Sequence, residues 1–64
     1  MGQKRYYKVS FKWSENIYCS NIAHAESVEK TADYYSKYDW YSVSPASSYD
    51  VEEARAKGMP IVEI

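Results

Sequence analysis

Few side chains in this chain are able to do covalent or acid–base chemistry. Cys19 is the sole cysteine and His24 the sole histidine, and they are the only conventional nucleophile–base candidates. On a single strand, a separation of five places the two on opposite faces. They therefore read as a small buried thiol and a surface imidazole rather than a dyad. Glu52 and Glu53 are neighbours on an expected helix and diverge by about 100°. Asp50 reads as a helix cap, so these carboxylates describe a solvated acidic helix N-terminus rather than a general acid–base pair. The only glycines are Gly2 and Gly58, which leaves no phosphate-cradling loop. Ser42, Ser44, Ser47 and Ser48 lack a strand–turn–helix nucleophile context and read as strand and loop residues. One Cys and one His do not make a conventional zinc site. No catalytic residue, cofactor or metal is assigned, and no enzyme is expected.

Binding chemistry is the stronger reading. Lys4, Tyr6, Lys8, Ser10 and Lys12 recur at every second position, so on a strand they share one face. In the favoured hairpin register Tyr18 and His24 join them. Lys4, Tyr6, Lys8, Lys12, Tyr18 and His24 are thus the candidate binding residues. Lysines interleaved with rings on an open sheet suit single-stranded nucleic acid, where ammonium groups meet phosphates and rings stack on bases. The same face suits an acidic protein surface. It is also what a strand guarded against aggregation by lysines looks like. Three lysines are a thin electrostatic footprint for a polyanion. The expected partner is therefore an acidic protein, with weak single-stranded nucleic-acid binding as the alternative.

Charge distribution motivates that face more than net charge does. The formal net charge is −1, yet residues 1–13 hold Lys4, Arg5, Lys8 and Lys12 and no acid, while all nine acids lie in the remainder. Tyr is a common interface residue because its ring is apolar and its tip is wet. Eight tyrosines are present. Tyr7, Tyr35 and, less firmly, Tyr41 read as core, whereas Tyr6, Tyr18, Tyr34 and Tyr49 have less claim to it.

These groups must be positioned by a small scaffold. A chain of 64 residues has room for one domain, residues 1–64, and such a domain buries only about 60% of the surface its unfolded chain exposes. The core must come from a few large rings, because there is no leucine. Residues 5–13 alternate, with Tyr7, Val9, Phe11 and Trp13 on the inner side. Trp13 is expected to be substantially buried. Ser14-Glu15-Asn16 reads as a hairpin turn into a second strand near 17–24. A three-residue loop sets Trp13 opposite Ile17 and Phe11 opposite Cys19, with Ile22 outside. A four-residue loop instead pairs Trp13 with Tyr18 and turns Ile22 inward. The first register is favoured.

Ser27 reads as the N-cap of a helix over 27–38, with Val28, Thr31, Ala32, Tyr35 and Tyr38 on its buried stripe. Residues 40–44 read as a third strand, which Pro45 closes or places at an edge. Asp50 and Glu53 have capping-box spacing. Gly58 and Pro60 stop the second helix, and residues 61–64 form a terminal strand. The expected fold is α+β in the order β-β-α-β-α-β, a small mixed four-stranded sheet. Right-handed crossovers are expected to place both helices on one face, leaving the basic face open.

The stretch Ser42-Val43-Ser44-Pro45-Ala46, then Tyr49-Asp50-Val51-Glu52-Glu53-Ala54 and Lys57-Gly58-Met59-Pro60-Ile61, together with the Tyr-rich first strand, resembles small uncharacterised proteins of gut Firmicutes often found near mobile elements. The resemblance covers nearly the whole chain and implies a bacterial protein. It brings no assigned chemistry and no functional residues. Residues 1–6 carry basic groups with no apolar stretch behind them, and Tyr6 stands where a myristoylation signal has Ser or Thr. With a lone cysteine that has no intramolecular disulfide partner and no run able to cross a membrane, the expected location is cytoplasmic.

Overall fold

A computed structural model describes residues 2–64. Met1, the first residue of the segment read for targeting signals, lies outside them. The elements follow the order β1 (Arg5–Ser14), β2 (Ile17–Ala25), α1 (Val28–Tyr35), β3 (Tyr41–Pro45), α2 (Ser48–Ala56) and β4 (Ile61–Glu63). The four strands form one mixed sheet in the spatial order β3-β1-β2-β4. β1 is antiparallel to both β2 and β3, and β4 runs parallel to β2.

The alternation of residues 5–11 becomes a real division of faces. Tyr7, Val9 and Phe11 are buried and join Ala23, Ala25 and Tyr35 in one core cluster beneath α1. Alanine at 23 and 25 leaves room for the rings: Phe11 lies 5.2 Å from Tyr35 and 4.5 Å from Tyr38, centroid to centroid. Ser27 caps α1 by accepting from the Lys30 amide. The buried Thr31 hydroxyl donates to the Ser27 carbonyl at 2.9 Å, so its polar atom is satisfied inside the core. The helix ends at Tyr35, earlier than expected. Ser36 closes it by donating both its amide and its hydroxyl to the Asp33 carbonyl, and Tyr38 reaches the core from the following turn.

The hairpin pairs Phe11 with Cys19, in the favoured register, but Trp13 departs from its expected place. The ladder slips between Lys12 and Ser14, so Ser14 rather than Trp13 faces Ile17. Trp13 is the extra residue of this irregularity and has no partner in the ladder. It is 61% exposed, with its ring centroid 6.2 Å from that of Tyr38 on the α1 side. Asn16 takes the left-handed conformation that the tight turn requires, with φ 64°.

The second helix starts three residues before the position expected from Asp50. Ser47 is the N-cap, and Asp50 completes a capping box by accepting from the Ser47 amide at 3.0 Å. Gly58 ends the segment at φ 73°, as its position after the helix suggested.

The expectation of both helices on one face is overturned. Val51 and Ala54 of α2 pack with Ile22, which points to the side opposite Tyr7, Val9 and Phe11, and Tyr6 joins them. α1 and α2 therefore cover opposite faces. Strand order explains this. The β2–α1–β3 crossover runs across the sheet in one direction, and β3–α2–β4 returns in the other. Two crossovers of the same hand that travel in opposite directions must pass over opposite faces.

Candidate functional site

The six residues read as a basic binding face all lie on the side of the sheet that α2 partly covers. Cross-strand pairing aligns Tyr6 with His24, Lys8 with Ile22, and Lys12 with Tyr18, so the shared face is real. It is not open along its length, because the part near α2 and β4 is consumed by internal contacts. The His24 ring stacks on Tyr6 with centroids 4.4 Å apart and planes 15° from parallel. Its Nδ1 lies 3.0 Å from the Glu63 carboxylate, and Lys4 Nζ reaches the same carboxylate at 3.3 Å. Hydrogen bonding from His24, with help from Lys4, holds the Glu63 carboxyl below the usual carboxylate range. Lys8 Nζ is 3.6 Å from Asp50 of α2. Asp50 is held low chiefly by its capping bonds from Ser47, with a smaller contribution from Lys8.

Thus Lys4, Tyr6, Lys8 and His24 are tied to α2 and β4, and the positive field expected from an uncovered face is largely paired off. The acids sit on the same side as the lysines because α2 crosses over them.

Lys12 and Tyr18 lie beyond the reach of α2, at the hairpin end of the sheet. Lys12 makes no ion pair among the described residues. Its amide donates to the Trp40 carbonyl at 2.9 Å, placing it between Tyr18 on one neighbouring strand and Trp40 at the start of the other. The two rings meet edge-to-face at 5.6 Å, a favoured geometry for aromatic pairs. Tyr18 is 62% exposed and Trp40 47%. Trp13, Ile17 and Tyr41 are also exposed at this end. Tyr34 is exposed on α1, with the Lys37 ammonium 4.5 Å from its ring centroid, a cation–π distance.

Sequence reasoning missed Trp40, Trp13, Ile17 and Tyr41 as surface residues. Trp40 becomes a neighbour of Tyr18 only once β3 is known to lie on the far side of β1. The slipped ladder at Trp13 has no clear signature in the residue types.

Cys19 packs against the α1-side core, whereas His24 stacks on the other side, so the sheet separates the thiol from the imidazole. Two shallow clefts flank α2. One, of about 150 Å³, is lined by Lys8, Ser20, Ile22, Glu53, Lys57 and Met59. The other, of about 280 Å³ at Tyr6, Ser47 and Val51, is also smaller than the roughly 300–1,000 Å³ typical of small-molecule sites. Among the described residues, no helix is long and apolar enough to cross a membrane, and no three His, Cys, Asp or Glu side chains converge as a metal site. Comparison with protein-family models, with curated proteins and with solved structures finds no match.

Proposed function

We propose that this chain is a small non-enzymatic accessory module, bacterial and cytoplasmic, that binds a partner protein through the aromatic end of its sheet. The observation that carries this reading is the Tyr18–Trp40 pair, 62% and 47% exposed and set against Lys12. Small monomeric proteins seldom expose clustered large rings without using them, and aromatic anchors dominate protein–protein hot spots. Lys12, unpaired among the described residues, favours an acidic group on the partner beside that anchor. Separation of Cys19 from His24 by the sheet supports a binding role over nucleophilic chemistry. The lone thiol suits a reducing compartment, and the likeness to small proteins of gut Firmicutes supports the bacterial assignment.

Single-stranded nucleic acid is the weaker reading because Lys4 and Lys8 already face Glu63 and Asp50. Capture from nuclease-treated cell extract by the wild type and by Tyr18→Ala and Trp40→Ala tests the proposal. The partner should survive nuclease and be lost with either variant, while both variants keep the wild-type circular dichroism spectrum. Loss of the partner on nuclease treatment, together with amide shifts at Lys12 and Tyr18 on adding a single-stranded oligonucleotide, would transfer the site to nucleic acid. A partner retained by both variants would remove the aromatic end from the function.

A further inference from the structure

The second exposed feature of the molecule is a stretch of strand backbone. β4 pairs with β2 only at Ile22, Ala23 and His24. There the Ile22 amide donates to the Pro60 carbonyl, and the His24 carbonyl accepts from the Ile64 amide. Backbone groups alternate in direction along a strand, so the even-numbered residues of β2 point away from β1 and the odd-numbered ones toward it. Pairing on β1 agrees: its even residues face β3, as the Lys12 amide to Trp40 and the Tyr6 carbonyl to Ala46 show. The N–H and C=O groups of Tyr18 and Ser20 therefore project past the sheet, with no backbone partner among the described residues.

This edge lacks the usual guards. Soluble proteins blunt free strand edges with lysine, proline or an inward-pointing charge. Residues Ile17 to Asn21 contain none of these, and Ile17 and Tyr18 add exposed apolar surface beside the free groups. The opposite edge strand, β3, is treated differently. It ends in Pro45, which has no N–H, and serines flank Val43.

We infer that the Ile17–Asn21 edge of β2 pairs with the same edge of a second copy of this chain, antiparallel about a two-fold axis at Cys19. The occupant follows from self-complementarity. Tyr18 and Ser20 are two residues apart, so setting Tyr18 opposite the second copy's Ser20, and Ser20 opposite its Tyr18, satisfies all the projecting groups of both copies. An isologous contact of this kind closes on itself and does not propagate. In this register Cys19 faces the second copy's Cys19 as a non-hydrogen-bonded pair, with Cα atoms about 4.5 Å apart, within the range of about 4.4–6.8 Å that a disulfide spans. Backbone groups carry this contact and ring faces carry the partner site, so it stands independently of the proposed function.

The test uses the full chain. Sedimentation should show mass doubling as concentration rises from micromolar to millimolar. Diamide, an azo oxidant that takes up the two electrons and two protons released when two thiols join, should convert that species to a Cys19-linked dimer. Ser20→Pro removes a projecting N–H without touching a backbone bond to β1, and Ser20→Lys places a guard on the edge; both variants give up only the exposed Ser10–Ser20 hydroxyl contact at 3.4 Å. Both should stay folded, remain monomeric and resist diamide cross-linking. Trp40→Ala should dimerise like the wild type even where it loses the partner protein. A wild type that is monomeric at millimolar concentration and does not cross-link overturns the inference, as does a dimer that persists in both Ser20 variants.

Discussion

Replacing Ile22 with alanine tests the arrangement of the two helices directly. Ile22 lies on the β2 face that alternation shares with Tyr18, Ser20 and His24, a set that looks solvent-facing. With α2 on that side, its side chain is 1% exposed and packs on Val51 and Ala54. Ile22→Ala deletes three carbon atoms, worth roughly 2–2.5 kcal/mol in transfer at about 0.8 kcal/mol per buried methylene. The cavity left behind raises the cost, placing the total at about 3 kcal/mol within the 2–5 kcal/mol range for such truncations. A domain of this size holds no more than about 3–5 kcal/mol, so the variant should be near the edge of folding.

Ile22→Val keeps the assay readable. It loses one methylene, about 1 kcal/mol, and should lower Tm by about 4–8 °C. Trp13→Ala is the contrasting case, since that ring is mostly exposed. Its cost should fall well below the roughly 3–5 kcal/mol of a buried Trp truncation. Thermal and urea unfolding followed by circular dichroism rank the three. If Ile22→Ala melts as well as Trp13→Ala, α2 does not cover this face and the two-sided core is wrong.

Gly58 takes φ 73° with open space where a Cβ would stand, so Gly58→Ala should cost about 1 kcal/mol through backbone strain alone. Asn at the same position, which tolerates that conformation, should recover part of the loss in the same melts. Acid should weaken the fold through Glu63 and Asp50, whose folded pKa values are depressed. Their stabilising contribution is fully present above the unfolded values of about 4 and is lost as pH falls through the lower folded values. The slope of Tm against pH below 4 should flatten in Glu63→Gln. An unchanged slope would show that the His24–Glu63–Lys4 cluster contributes nothing to folding.

Local signals in the sequence determined the elements and their order. Tyr7, Val9 and Phe11 declared a buried strand face by their period of two. Ser27, Gly58 and Pro60 marked helix ends because capping and left-handed turns are chemistry of single residues. Tyr35 was legible as core from its spacing to Thr31 and Tyr38. For the candidate site, the shared face of Lys4, Tyr6, Lys8, Lys12, Tyr18 and His24 was legible once the hairpin register was chosen. Its cover was not. Whether α2 lies above that face depends on strand order, and strand order is set by which long-range pairings bury the most surface, a property no short window carries. The one clue was Ile22, an apolar residue among polar neighbours on a side assigned to solvent. The tertiary structure decided the rest. By returning over the sheet, the β3–α2–β4 crossover set Asp50 against Lys8 and Glu63 against Lys4 and His24. By carrying β3 beside β1, the β2–α1–β3 crossover brought Trp40 across Lys12 to Tyr18, and so the exposed surface moved from the lysines to the rings.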